Sequence, residues 1–224
     1  MSPAPSVIVF DVNETLSDMS PMADRFTDVG APAHLAELWF ASLLRDGFAL
    51  TAAGTTERFA VLAAGALRSV FAGVELDRDV DAAVEHVLDG IARLSVHPDV
   101  PDGVRALRAT GRRLVTLTNG ATATSQALLD GAGIRDRFEQ LLSVEDAGVW
   151  KPARDAYAHA AKACDVDLSD MLLVASHPWD IDGAARAGMG TAWVNRTGAP
   201  YPEYATAPQY TVAALDELAT ALPG

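Results

Sequence analysis

A single cysteine, Cys164, among 224 residues excludes an internal disulfide and fits a reducing compartment. It lies in an alanine-rich helical stretch and reads as packing rather than as a reactive thiol. Basic residues are scarce, 17 against 30 acidic ones, for a net charge of −13. An acidic surface disfavours nucleic acid and anionic membranes as partners. It also gives no long-range attraction for an anionic substrate, so any anion site must be local. Apolar runs of about 18 residues are missing, so no membrane span is expected. The N-terminal MSPAPSVIVFD carries no basic n-region, so no signal peptide is indicated and a cytoplasmic location is expected. Repeats and low-complexity tracts are missing too. One further lack is chemical: two residues after Asp11 stands Asn13, not a second acid.

What is present suits a globular protein with a substantial core, at 50% hydrophobic and 21% charged residues. The run Val7-Ile8-Val9-Phe10 reads as a buried strand that stops at Asp11. That places a carboxylate at the carboxyl end of a strand, the edge where open α/β sheets bind ligands. After Leu16 the pattern turns helical for a long way. Apolar residues recur at helical spacing over Ala33–Leu44, Thr56–Phe71 and Asp79–Leu94, with breaks around Gly47, Gly54 and Gly73. From Val96 helices and strands alternate, with strands expected at 114–118, 141–143, 171–175 and 191–194. Helices are expected at 101–108, 125–131, 153–164 and 183–187. The alternation predicts a Rossmann-like, doubly wound parallel sheet with right-handed crossovers. Residues 1–17 and 95–224 are expected to form this core. Residues 18–94 would be an all-helical cap, inserted after the first strand and placed to act as a lid.

Four groups recur at the carboxyl ends of these strands or in the loops after them. They are Asp11, Thr118-Asn119, Lys151 and the run Ser176-His177-Pro178-Trp179-Asp180. Each alone is weak, since an Asp after a strand is often a helix cap and Asn-Gly is ordinary turn chemistry. Their combination in this order is specific. It resembles the haloacid dehalogenase superfamily and, within it, the type II L-2-haloacid dehalogenases. Asp11 and Thr15 match the first motif, Thr118-Asn119-Gly120 the second and Lys151-Pro152 the third. Trp179-Asp180 with Gly183-Ala184 matches the fourth, and Asn195-Arg196-Thr197-Gly198 is similar to the last core strand and turn.

The resemblance implies a hydrolase acting on carbon–halide bonds. Asp11 would displace halide from a short 2-haloacid, giving an aspartyl ester that water then opens to a 2-hydroxyacid. Lys151 would keep Asp11 ionised. Thr15 would support its carboxylate, and Asp180 would orient or activate the hydrolytic water. Val12, Asn13, Thr118, Asn119, Ser176, His177, Trp179 and Tyr157 are the expected substrate contacts. No cofactor or metal is expected; the expected partners are the haloacid and the halide product, and a homodimer is implied by the resemblance alone.

The alternative is a diverged phosphohydrolase of the same superfamily, acting on a small phosphate ester. Phosphoryl-transferring relatives carry Asp-x-Asp in the first motif and an acidic pair in the fourth that holds magnesium. Asn13 cannot shuttle a proton, and Ser176 stands where a metal-binding acid is usual. Halide leaves without protonation, so both losses suit dehalogenation; Asp182 remains nearby as a residual acid. Two departures stand out. The arginine that relatives carry on the cap helix is matched to Ala41 in Trp39-Phe40-Ala41-Ser42-Leu43, leaving Arg45 or Arg58 as substitutes. His177 stands where relatives often have Asn, and its near-neutral pKa could help activate water.

Overall fold

The computed structural model describes residues 4–223. The first strand, β1 (Val7–Phe10), is wholly buried, as a central parallel strand covered on both faces must be. The chain then enters four helices in a row: α1 (Met22–Thr27), α2 (Leu35–Ala52), α3 (Phe59–Val70) and α4 (Val80–Ile91). It resumes with α5 (Val100–Ala109), β2 (Arg113–Thr118), α6 (Thr122–Gly131), β3 (Gln140–Ser143), the single turn α7 (Val144–Ala147) and α8 (Arg154–Cys164). Then come β4 (Met171–Ala175), α9 (Pro178–Ala187), β5 (Gly190–Val194), β6 (Tyr210–Val212) and α10 (Leu218–Ala221).

Among the described residues the strands form one six-stranded sheet in the order β3-β2-β1-β4-β5-β6. Every neighbouring pair is parallel. From β1 the chain winds outward through β2 and β3; from β4 it winds the other way. The order therefore reverses between β1 and β4, and a crevice opens at their carboxyl ends. Asp11 follows β1, and Ser176-His177 follow β4, so sequence-distant residues meet there. Alternation along β1 divides two cores. Val7 and Val9 join a cluster that runs on into the helical block through Trp150 and Trp39. Ile8 and Phe10 pack with Val104, Leu107 and Leu218 on the other face.

The helical block leaves and rejoins the sheet on paired backbone. Ser17 bridges Val96 in antiparallel fashion, the Asp18 amide donates to Ser95 O at 2.8 Å, and the His97 amide donates to Leu16 O at 2.9 Å. A second tie is Trp150, just before Lys151. Its backbone N donates to Thr51 Oγ1 at 3.1 Å and its indole N to Glu57 O at 3.0 Å. Its ring stacks on Phe59 at 6.1 Å. Gly47 on α2 makes room for it: a Cβ there would lie 2.4 Å from the Trp150 ring.

The structure differs from the sequence expectation in several elements. Helix α1 and strand β6 were not expected; α2 runs on to Ala52, and α9 begins at Pro178 rather than Gly183. Proline suits that first helical position, where its missing N–H costs nothing. Among the described residues no helix is long and apolar enough to cross a membrane.

Candidate active site

Asp11, only 4% exposed, is gripped on both carboxylate oxygens. Lys151 Nζ donates to Oδ1 at 2.8 Å. The Thr15 hydroxyl donates to Oδ2 at 2.7 Å, and His177 Nδ1 lies 3.3 Å from the same oxygen. Thr15 has one hydrogen, spent on Asp11, so it must act as acceptor toward Ser176, whose backbone N is 2.9 Å away and whose Oγ is 3.1 Å away. Loop β1 and loop β4 are thus joined through Thr15, at the point where the strand order reverses.

Lys151 is completely buried and reaches two acids: Asp11, and Asp180 Oδ2 at 2.5 Å. Its backbone is bracketed by one side chain. Asn119 Oδ1 accepts from the Lys151 amide at 3.0 Å, and Asn119 Nδ2 donates to the Lys151 carbonyl at 3.3 Å. Asn-Gly here positions the lysine as well as making a turn. Asp180, also fully buried, takes the Tyr157 hydroxyl on Oδ1 at 2.6 Å. Gly183 permits this approach, because a Cβ there would meet Pro152 at 2.5 Å and Tyr157 Oη at 2.7 Å.

The electrostatics follow from this packing. Burial disfavours charge on Asp11, but the Lys151 ammonium and the hydrogen bond and charge of His177 outweigh it and hold the carboxyl far below its usual range. Burial likewise opposes the Lys151 charge, and Asp11 and Asp180 together overcome it, raising its pKa. Asp180 moves upward, through burial first and then repulsion from Asp11, with Lys151 opposing. His177 is pushed up to about 9: burial works against the imidazolium, while hydrogen bonds to Asp11 and to Glu14 more than restore it. Glu14 Oε2 lies 2.7 Å from His177 Nε2. The His177 ring stacks on Trp179 with centroids 5.0 Å apart, and Phe48 of α2 packs edge-on against Trp179, also at 5.0 Å.

Two cavities flank this cluster and share no lining residue. One, of about 270 Å³, is lined by Val12, Asn13, Thr118, Gly120, Phe59 and Arg58, among others. The other, of about 550 Å³, is lined by Glu14, Ser176, His177, Phe40 and Arg196, among others.

The expected site residues therefore separate by position. Asp11, Thr15, Lys151, Asp180, His177 and Ser176 form one connected network. Val12, Asn13 and Thr118 line the smaller cavity, whereas Asn119 and Tyr157 line neither; Asn119 faces the Lys151 backbone, and Tyr157 lies behind Asp180. Trp179 covers the network, with Lys151 Nζ 5.8 Å from its ring centre. Asp180 has both oxygens engaged and no exposed surface, a poor posture for holding a water. Ala41 is exposed on α2, whereas its neighbours Trp39, Phe40 and Leu43 and, further along, Gly47 are buried. Arg45 is spent on its exposed neighbour Asp46 at 2.8 Å. Arg58 lines the smaller cavity instead. Sequence reading passed over Glu14 and Trp150.

The magnesium used by phosphoryl-transferring relatives does not fit these residues. Asn13 and Ser176 offer no charge. Asp182 points elsewhere, accepting from Arg186 Nε and from the Thr206 amide, both at 2.8 Å.

Comparison with known proteins agrees with this arrangement. A haloacid dehalogenase-like hydrolase family model matches residues 5–188. The (S)-2-haloacid dehalogenase of Pseudomonas sp. (strain YL) is 33% identical over 93% of this chain and 90% of its own. Haloacetate dehalogenase H-2 of Moraxella sp. (strain B) is 31% identical over 94% and 95%. Among solved structures, an L-2-haloacid dehalogenase from Xanthobacter autotrophicus with chloropropionic acid covalently bound superposes with a TM-score of 0.86. It is 26% identical, with 96% of this chain and 97% of that one covered. The first-loop aspartate, its lysine and threonine partners, and the sheet that carries them make this chain a member of the haloacid dehalogenase-like hydrolases, of the L-2-haloacid dehalogenase type.

Proposed function

We propose that the protein hydrolyses short 2-haloacids to 2-hydroxyacids and halide through an ester on Asp11. The observation that carries this reading is the buried Lys151–Asp11 pair at 2.8 Å. It supplies a buried carboxylate that the lysine's own charge keeps ionised. Oδ2 already accepts from Thr15 and faces His177, whereas Oδ1 has Lys151 alone. Oδ1 thus keeps a lone pair free and is the attacking atom. Attack on the halogen-bearing carbon forms the Oδ1–C bond as the carbon–halogen bond breaks, and halide carries off the electron pair. The ester carbonyl is then Oδ2, polarised by the Thr15 hydroxyl. Asp180 and Tyr157 hold Lys151 in line and take no part in bond making.

The substrate enters through the smaller cavity, under the helical block acting as a cap. Its apolar side includes Val12 and Phe59; its polar side includes Asn13, Thr118 and Arg58, with the carboxylate of Glu145 also on its lining. Arg58 is exposed and has no ion-pair partner among the described residues, so it is available to an anion. It takes the role of the missing cap arginine and meets the substrate carboxylate.

The direct test is halide release from chloroacetate and from each 2-chloropropionate enantiomer in the presence of chelator. Release under those conditions is expected; activity confined to a phosphate ester with added magnesium would reject the reading. Arg58→Ala should raise KM for these anions about tenfold, the loss of roughly one charge-assisted contact, and change kcat little. Steady-state halide kinetics read this. An unchanged KM would remove Arg58 from the substrate site.

A further inference from the structure

Resting on the ester reading just given, we propose that Glu14 and His177 form a base dyad that activates the water opening the Asp11 ester, with His177 the catalytic residue and Glu14 its positioning residue.

Three observations converge on this pair. The imidazole bridges two acids unequally: 2.7 Å from Nε2 to Glu14, 3.3 Å from Nδ1 to Asp11 Oδ2. The short contact fixes the Nε2–H on Glu14, which leaves Nδ1, the nitrogen facing the nucleophile, as the one that can exchange its proton. Glu14 is also held in a left-handed backbone conformation with φ of 60°, costly for a non-glycine residue. Its amide donates to Ser17 Oγ at 3.3 Å and its carbonyl meets His97 Nε2 at 3.1 Å, so neighbouring groups maintain the conformation that aims it at His177. Finally, the larger cavity, of about 550 Å³, is lined by Glu14, Ser176 and His177, and shares no wall with the cavity bearing Thr118 and Arg58. Water can reach the dyad from one side while substrate occupies the other. Asp180, with both oxygens engaged, is not placed to compete for that role.

The groups facing His177 explain its timing. Before alkylation, Asp11 and Glu14 both bond the ring, while Trp179 and Phe40 cover it without charge. Two acids favour the imidazolium, so His177 is no base in the free enzyme. Once Asp11 becomes a neutral ester, one of these anions is gone. The Nδ1 proton leaves to solvent, balancing the departed halide as net HX. Neutral Nδ1 then takes a proton from water as the new oxygen bonds to the ester carbon Cγ. The tetrahedral adduct expels the hydroxyacid alkoxide, which receives the remaining proton of that water. Asp11 returns as a carboxylate and His177 as an imidazolium, so the starting state is restored.

The test compares wild type, Glu14→Gln, Glu14→Asp and His177→Asn with 2-chloropropionate, following quenched-flow halide release and intact mass. Glu14 touches neither substrate nor nucleophile, so its variant separates the two half-reactions. Glu14→Gln should release one equivalent of halide at close to the wild-type rate, then stall with the protein one carboxyethyl group heavier. Its steady-state turnover should fall about 100-fold or more, the usual scale of a lost general base. His177→Asn should also accumulate the ester, and Glu14→Asp should recover part of the turnover. Residual ester hydrolysis in Glu14→Gln should show its acidic limb moved to lower pH, because an imidazole without its carboxylate partner loses its proton more readily. If Glu14→Gln turns over like wild type, or loses the halide burst and turnover together, the dyad is overturned while the ester reading stands. Wild-type protein that releases no halide from any short 2-haloacid overturns both.

Discussion

Asp11→Asn should fold normally and lose halide release by about 10⁴-fold or more, the scale on which removing a nucleophile from a working constellation is felt. The expectation of normal folding comes from the surroundings. Lys151 keeps Asp180 at 2.5 Å, and an amide oxygen can still accept from Thr15. Thermal unfolding checks the first half and a halide electrode the second. A variant that retains a tenth of wild-type activity would mean that another group carries the displacement.

Lys151→Met should cost both activity and stability. The methionine fills most of the space but leaves Asp11 and Asp180 buried with no cation between them. Breaking a buried pair in this way typically costs about 3–5 kcal/mol. The pH dependence gives the sign. In wild type, Asp11 is held below its ordinary 3.8, so its contribution to stability is present above that pH and fades as pH falls toward the lowered value. In the variant, burial with nearby like charge pushes the carboxyls up instead. Their folded-state values then exceed the unfolded ones, and the variant should lose further stability as pH rises through them. Urea unfolding across the acid range reads this difference. A variant whose stability follows pH in the same way as the wild type's would contradict the assignment of Lys151 as the cation that keeps Asp11 charged. Activity should fall with it, since a protonated Asp11 cannot displace halide.

Much of this was legible in the sequence because it rests on local pattern. Val7–Phe10 ending at Asp11 is visible as an apolar run meeting a carboxylate, and the parallel sheet follows from alternating elements. The same pattern hid other parts. Strand β6 has three residues, with Thr211 exposed, too short to show a period. Helix α1 has six residues, too few for an apolar stripe to repeat. The run Ser-His-Pro-Trp-Asp looks like a loop because its residues are chosen for the site, although Pro178 opens a helix. Trp150 gave no local hint, because what makes it structural is Gly47, about a hundred residues earlier. Glu14 was missed for a different reason. Its role depends on a left-handed backbone and on a histidine in the fourth motif, and neither is encoded beside it. The mismatch at Ala41 shows the limit of matching by local context. Trp39 does carry the core of the helical block, its indole donating to Ala63 O at 3.0 Å, and α2 reaches the nucleophile's surroundings through Phe40 against His177 and, two turns on, Phe48 against Trp179, whereas Ala41 faces outward.

The oxygen that ends in the product tests the central claim most directly. With enzyme in excess over 2-chloropropionate in ¹⁸O-enriched water, a single turnover should yield 2-hydroxypropionate whose hydroxyl oxygen is unlabelled. The label should appear instead in the peptide that contains Asp11. Labelled hydroxyl oxygen in that first turnover, with Asp11 unlabelled, would show that water attacks the substrate carbon itself and would contradict the account.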